Sequence, residues 1–488
     1  MMRKRTVALL VIAMMVLSSV LTLAFTSLPG IARNAVNGQG LLAALSGGGL
    51  SDQQQSKLST AAKLIESNYY QDVDSNKLVD GAINGMMEAL GDPYSSYMAP
   101  ETATQFSESI AGSFTGIGAE VSQEDGNVVI VSPIKGSPAE KAGLRPKDII
   151  VSINGESLAG VDLNDAVNKI RGKKGTTATL EIKRSGSSNT LDFKIVRDDI
   201  DVETVTSRMT DDKIGVITVT QFSMNTAERF DAEVKKLEGE GMKGLVIDVR
   251  NNPGGVLSVV IDMAEQFVPN GKLIVQVEDK AGKRDETKSK GKGVKYPIAV
   301  VTNGGSASAS EILAGALKQS AGATLYGETT YGKGTVQTSM DNIFNDGSLI
   351  KITIAKWLTP NGDWIHKKGI KPDVKIAPPD YFTVTPINKE KTLKYDMNNS
   401  DIKSAQIMLD GLGYTVDRKD GYFDRDTETA VKSFQTKQKL KVTGAIDEKT
   451  ATALEVALVE HIQDPQYDVQ INKAIAGVEK QISTTKTP

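Results

Sequence analysis

Three serines and a carboxylate crowd one short stretch of the chain, Ser306-Ala307-Ser308-Ala309-Ser310-Glu311, just ahead of Ile312, Leu313, Ala316 and Leu317. That apolar spacing is helical, so the serines stand at a helix start. Unpaired N–H groups and the positive end of the helix dipole gather there, and both would stabilise an oxyanion forming beside a serine. The same pattern also suits a plain cap, with serine at the N-cap and glutamate three residues on.

A serine nucleophile needs a base, and imidazole is scarce. The chain has only two histidines, His366 and His461, and no cysteine. A zinc site with several imidazoles would consume both, HExxH is absent, and thiolate chemistry is excluded, so no metal and no cofactor is expected. His366 lies in a turn-rich, basic stretch that does not suit a triad base. Another base is offered by Tyr331-Gly332-Lys333-Gly334-Thr335-Val336-Gln337, a glycine-flanked lysine opening a strand. In an extended chain Lys333, Thr335 and Gln337 project from one face, so an amine and an amide can share a cleft. Burial strips an ammonium of hydration and lowers its pKa from about 10.4 towards the range where it can accept a serine's proton.

These residues need a scaffold, and two units of the same kind supply it. Residues 244–249 form an apolar, β-rich run, Asn251-Asn252-Pro253-Gly254-Gly255 a turn, and residues 256–267 a helical pattern. Residues 298–301, Asn303-Gly304-Gly305 and the helix at the serines repeat it, which predicts an α/β core. Upstream, residues 112–198 read as short alternating strands with one helix at 163–171. Residues 53–90 read as two helices stopped by the turn Gly91-Asp92-Pro93-Tyr94. Residues 394–458 are helical with an internal echo: Gly421-Tyr422-Phe423-Asp424 precedes Thr427 as Gly444-Ala445-Ile446-Asp447 precedes Thr450, both aspartates as N-caps. Residues 477–488 are polar and expected to fray.

At the amino terminus Arg3, Lys4 and Arg5 precede an uncharged, mainly apolar run at residues 6–25, long enough as a helix to cross a bilayer with the basic cluster inside. A cleavable signal peptide is the alternative, with weak small-residue sites near Ala24. Either way the remainder is exported. At 488 residues the chain exceeds one core, and 57 Lys and Arg against 60 Asp and Glu provide no field for nucleic acid.

Within residues 112–198, Gly116-Ile117-Gly118-Ala119, Gly136-Ser137-Pro138-Ala139, Ala142-Gly143-Leu144, Gly155-Glu156 and Ile170-Arg171-Gly172-Lys173-Lys174-Gly175 resemble a bacterial protease-associated PDZ domain. The resemblance implies that Gly116, Ile117 and Gly118 form the turn receiving a peptide's terminal carboxylate; otherwise the glycines merely permit a bend. Arg171 would carry a signal from the occupied PDZ domain, or only complement a helix dipole. Residues 55–380, through Asp248-Val249-Arg250-Asn251-Asn252-Pro253-Gly254-Gly255, the serine element and Gly332-Lys333-Gly334-Thr335-Val336-Gln337, resemble the carboxyl-terminal processing (tail-specific) proteases. That resemblance implies Ser308 as nucleophile, Lys333 as general base and Gln337 as the residue orienting it. It also implies an oxyanion site from the N–H groups of Ala309 and Gly255, preferred over Gly254. Residues 390–460 resemble the three-helix peptidoglycan-binding domain.

The expected fold is multidomain α+β and α/β. Its parts are a signal-anchor helix (1–27), a linker (28–51), a helical segment (52–111), a PDZ domain as a small β-barrel with helices (112–198), a crotonase/ClpP-like protease core (199–385), a three-helix module (390–460) and a tail (461–488). The expected function is a Ser/Lys endopeptidase at the cell membrane acting outside the cytoplasm. It would take protein or peptide substrates with a free C-terminus, attach to cell-wall peptidoglycan and form a homodimer. The alternatives are a non-catalytic PDZ and wall-binding scaffold, or a wall-remodelling hydrolase, for which no ligand cluster is visible.

Overall fold

The computed structural model describes residues 49–485 apart from 125, 186, 188 and 342. The apolar run at 6–25 lies outside them; among the described residues no helix is long and apolar enough to cross a membrane.

The central sheet runs in the order Val205–Met209, Ile214–Val219, Gly244–Asp248, Ile298–Thr302, Thr324–Gly327, Val374–Lys375. The first pair is antiparallel and the other neighbours are parallel. Every residue of Gly244–Asp248 and Ile298–Thr302 is buried, as parallel strands covered on both faces should be. One face carries Leu245, Ile247 and Val300 against the helices Thr226–Gly239, Leu257–Glu265 and Ala309–Ser320.

The other face carries Val216, Val246, Ala299 and Val301, and it is closed by the helix Val469–Thr485 through Ile471, Ala474 and Val478. The frayed tail expected beyond residue 477 is therefore a helix to Thr485. The cause is a stripe at helical spacing, with Ile471, Ala474 and Val478 buried against the sheet and Ile475 and Ile482 packed beside them. The polar composition of the last dozen residues hid it.

A second, antiparallel sheet is organised by Leu349–Leu358. Thr335–Asp341 pairs along one edge of that strand, while Ser96–Met98 and Leu273–Asp279 pair with its two ends; Arg284–Lys288 extends the sheet beyond Leu273–Asp279. A strand of the N-terminal segment is thus part of the protease body. Ahead of it, the helix Asp52–Asn68 buries no residue, and Ser75–Glu88 buries only Met87.

The PDZ region is an antiparallel sheet in the order Ala119–Glu124, Asn127–Pro133, Ile149–Ile153, Thr177–Lys183, Leu191–Val196, with Glu156–Ser157 beside Ile149–Ile153. Burial alternates along Thr177–Lys183, the period-two signature of a half-buried strand. Ser113–Gly116 pairs with Asp198–Asp201 where the chain enters and leaves.

In the C-terminal module the helices Ser400–Gly411, Arg425–Lys437 and Glu448–Gln463 are capped by Asn399, Asp424 and Asp447. The sequence echo has a structural basis. Buried Gln406 accepts the Gly421 N–H at 3.0 Å and donates to Thr427, while buried Gln435 accepts the Gly444 N–H at 3.0 Å and donates to Thr450.

Candidate active site

Parallel pairing of Gly244–Asp248 with Ile298–Thr302 brings the turns at their carboxyl ends side by side, where open α/β sheets place their sites. Those turns are laced together. Fully buried Asn252 donates from Nδ2 to the Val219 carbonyl at 2.8 Å and accepts the Gly254 N–H at 2.9 Å. Its carbonyl accepts the Ala307 N–H at 3.0 Å and the Ser310 hydroxyl at 2.8 Å, and the Ser306 hydroxyl donates to the Val249 carbonyl at 2.8 Å. Two of the three serines are consumed by this lacing.

Ser308 differs from both. It sits at φ 55°, ψ −112°, a costly conformation for a residue with a side chain. Its N–H donates to Glu311 Oε2 at 2.9 Å, the backbone half of a capping box. Neither the Ala309 N–H nor the Gly255 N–H has a protein partner among the described residues, whereas the Gly254 N–H is taken by Asn252. Both glycines are required sterically. A Cβ at Gly254, φ +105°, would lie 2.8 Å from Ser308 Cβ and 2.9 Å from the Ala309 nitrogen; one at Gly255, φ +151°, would lie 2.2 Å from the Phe222 carbonyl oxygen.

Glu311 does more than cap. Fully buried, it also accepts the Thr330 hydroxyl at 2.6 Å, the Gly332 N–H at 2.7 Å and the Lys333 N–H at 2.8 Å. One carboxylate thereby fastens the Lys333 loop to the turn holding Ser308. The serine-rich motif gave no sign of this second role.

Lys333 lies just before Thr335–Asp341, and its carbonyl accepts the Trp357 indole N–H at 2.8 Å. Burial, and then the Lys351 ammonium, push its pKa below the ordinary lysine value, against the pull of Asp92 and Glu311. Its Nζ stands 5.0 Å from the centroid of the Tyr94 ring, a cation–π distance. Among the described residues no hydrogen bond joins Lys333 Nζ to the Ser308 hydroxyl.

Thr335 and Gln337 share one face of the strand that starts at Thr335, as alternation requires, and the register shift opposite Val336 and Gln337 leaves its extra residue on Leu349–Leu358. The Gln337 amide donates to Thr335 Oγ1 at 2.9 Å and Thr353 Oγ1 at 3.0 Å instead of meeting Lys333. His366 stacks on Trp364 at 5.2 Å and accepts the Gly334 N–H at 3.3 Å, supporting the lysine loop. Among the described residues no cluster of side chains could hold a metal ion.

At the PDZ end, the Ile117 carbonyl accepts the Ala139 N–H at 2.8 Å, and that of Gly118 accepts the Ile134 N–H at 2.9 Å and the Ser137 hydroxyl at 2.8 Å. The N–H groups of Ile117 and Gly118 have no protein partner among the described residues. Gly116 closes the pairing with Asp198. Arg171 follows the helix Leu163–Ile170, donates to Glu108 at 2.7 Å and lies 5.1 Å from the Phe114 ring. Glu108 belongs to the helix Pro100–Ala111, whose last turn is bonded through Ser109 and Ile110 to Gln221, Ser223 and Met224. Phe222, among them, bridges Gly255. Contacts therefore run unbroken from Arg171 to the glycine turn beside Ser308.

Several known families and proteins match the chain. Residues 213–376 match the model of peptidase family S41, residues 129–184 a PDZ domain, residues 398–454 a putative peptidoglycan binding domain, and residues 32–102 the N-terminal domain of the activating protease CtpB. The chain is 48% identical over 431 residues to the carboxy-terminal processing protease CtpB of Bacillus subtilis, covering 88% of this chain and 89% of that protein. It is also 48% identical to CtpA of the same organism, covering 88% and 91%. Among solved structures, the photosystem II D1 C-terminal processing protease is 28% identical, with TM-score 0.40 over 67% of this chain and 94% of that one.

Proposed function

The chain belongs to the carboxy-terminal processing proteases of peptidase family S41, and we propose that it is an endopeptidase driven by a Ser308/Lys333 dyad. Neutral Lys333 takes the Ser308 proton as Oγ attacks the scissile carbonyl. The tetrahedral oxyanion is held by the N–H groups of Ala309 and Gly255. Collapse breaks the C–N bond, the Lys333 ammonium protonates the leaving amine, and the same amine then activates the water that hydrolyses the acyl-enzyme. Lys333 reaches Ser308 by leaving its place over Tyr94, while Gln337 orients it.

One observation carries this reading. Of the three serines at the helix start, Ser308 alone is spared from lacing the turns, and it shares the Glu311 carboxylate with a lysine held below its ordinary pKa.

Substrates are protein or peptide chains with a free C-terminus, received at the turn Gly116-Ile117-Gly118 through the N–H groups of Ile117 and Gly118. Arg171 conveys occupancy along the path to Gly255. The enzyme works outside the cytoplasm, anchored by residues 6–25 and attached to the cell wall by its C-terminal module. It is a homodimer, supported by the outward-facing Leu58, Leu64, Ile65, Val79 and Met86 of its first two helices.

Ser308→Ala and Lys333→Ala are expected to abolish cleavage of a tailed substrate while leaving the fold and peptide binding intact. Turnover persisting in pure Ser308→Ala protein refutes the dyad.

A further inference from the structure

The turn Gly91-Asp92-Pro93-Tyr94, legible in sequence only as a helix stop, lies against the strand that carries Thr353. Asp92 Oδ2 accepts the hydroxyls of Ser95 and Thr353, each at 2.6 Å, and Oδ1 accepts the Tyr94 N–H at 3.2 Å. The Thr353 N–H donates to Ser95 Oγ at 3.0 Å, which closes the junction. Burial pushes the Asp92 carboxyl up, but the hydrogen bonds from Ser95, Thr353 and Tyr94 outweigh it and hold the group below the ordinary aspartate value. At neutral pH Asp92 is ionised and can only accept.

Proton counting then decides the next contact. Thr353 has one hydroxyl proton, and Asp92 takes it. The 3.0 Å contact between Thr353 Oγ1 and Gln337 must therefore be an N–H donated by the amide. A carboxamide offers a donor end and an acceptor end of nearly identical shape, and only its partners determine which way it faces. With the amino end committed to Thr353 and Thr335, the carbonyl oxygen of Gln337 is left without a protein partner among the described residues.

We propose that Asp92 is a positioning residue of the active site, acting through Thr353 to present the Gln337 carbonyl oxygen, and not its amino group, to Lys333. The proposal rests on the reading of Lys333 as the base. A neutral amine serves as a base only while its lone pair points at the serine. A carbonyl oxygen accepts one of its N–H groups and holds it so, whereas an amide amino group would donate to the lone pair and quench it. Tyr94, two residues on, holds the same Nζ over its ring. The N-terminal segment thus reaches the catalytic amine by two routes.

The Thr353 pair tests this on the full chain, with kcat and KM measured on a tailed peptide and folding followed by thermal unfolding. Thr353→Val breaks the relay and lowers kcat roughly 10- to 100-fold with KM unchanged; Thr353→Ser, which keeps the hydroxyl, retains activity. Asp92→Asn lets residue 92 donate to Thr353, turns the Gln337 amide over and costs kcat to a similar degree. In a Gln337→Glu background the two oxygens are equivalent, nothing is left to orient, and Asp92→Asn brings no further loss. Equal activity in Thr353→Val and Thr353→Ser overturns the proposal, as does an equal loss from Asp92→Asn in both backgrounds. If Asp92→Asn does not fold, the Thr353 pair decides alone. Cleavage by Ser308→Ala would instead remove the dyad itself, so the two failures are distinguishable.

Discussion

The two halves of the proposed active site are built on opposite plans. The nucleophile half comes from two neighbouring strand-turn-helix units, and its polar groups are spent on one another: Asn252 alone engages Val219, Gly254, Ala307 and Ser310. Arg250 pins the same turn by ion pairs to Asp248 and Asp468, at 2.7 and 2.5 Å. The base half is assembled from four distant stretches, around Asp92, Glu311, Lys333 and Thr353, and its amine rests over an aromatic ring. One half is a fixed mould and the other holds a movable part.

That contrast can be broken in three places. The largest effect is expected from Gly255→Ala, whose Cβ meets the Phe222 carbonyl at 2.2 Å and forces the turn to move. Loss of one oxyanion donor costs about 10²–10³ in kcat. A peptide-cleavage assay within a few-fold of wild type would show that the mould is not rigid.

Next is Val478→Asp, which puts a carboxylate against Val246 and Ala299. Burying an unpaired charge there should destabilise the core by about 2–4 kcal/mol, read as a lower urea midpoint. An unchanged midpoint would mean that the last helix is dispensable to the sheet carrying the nucleophile turn.

The smallest is Lys351→Met, aimed at the movable half. In the proposed mechanism the base is neutral Lys333, so kcat/KM is expected to rise as pH climbs through its pKa, which burial and the Lys351 charge both depress. Removing that like charge raises the Lys333 pKa, and the rising limb moves to higher pH. A limb that stays in place leaves Lys351 without influence on Lys333, and one that moves to lower pH contradicts the assigned sign.

What the sequence determined by itself is local. Alternation within Thr177–Lys183, the paired strand-turn-helix units, the Gly-Asp echo of the C-terminal module and the glycine-flanked Lys333 all reflect neighbours within a few residues, where backbone geometry dictates spacing. Only the tertiary structure decided which serine is spared from lacing the turns together. Ser306 and Ser310 are eliminated by bonds to Val249 and Asn252, 57 and 58 residues away. It also showed that Glu311 grips the lysine loop, that Gln337 donates to Thr353 beside a bulge in the partner strand, and that the last helix closes the central sheet. Asp92 meets Thr353 across 261 residues. Hydrogen bonds between distant polar side chains leave no periodic trace in a chain, because the fold brings them together only after each segment has taken its own local shape.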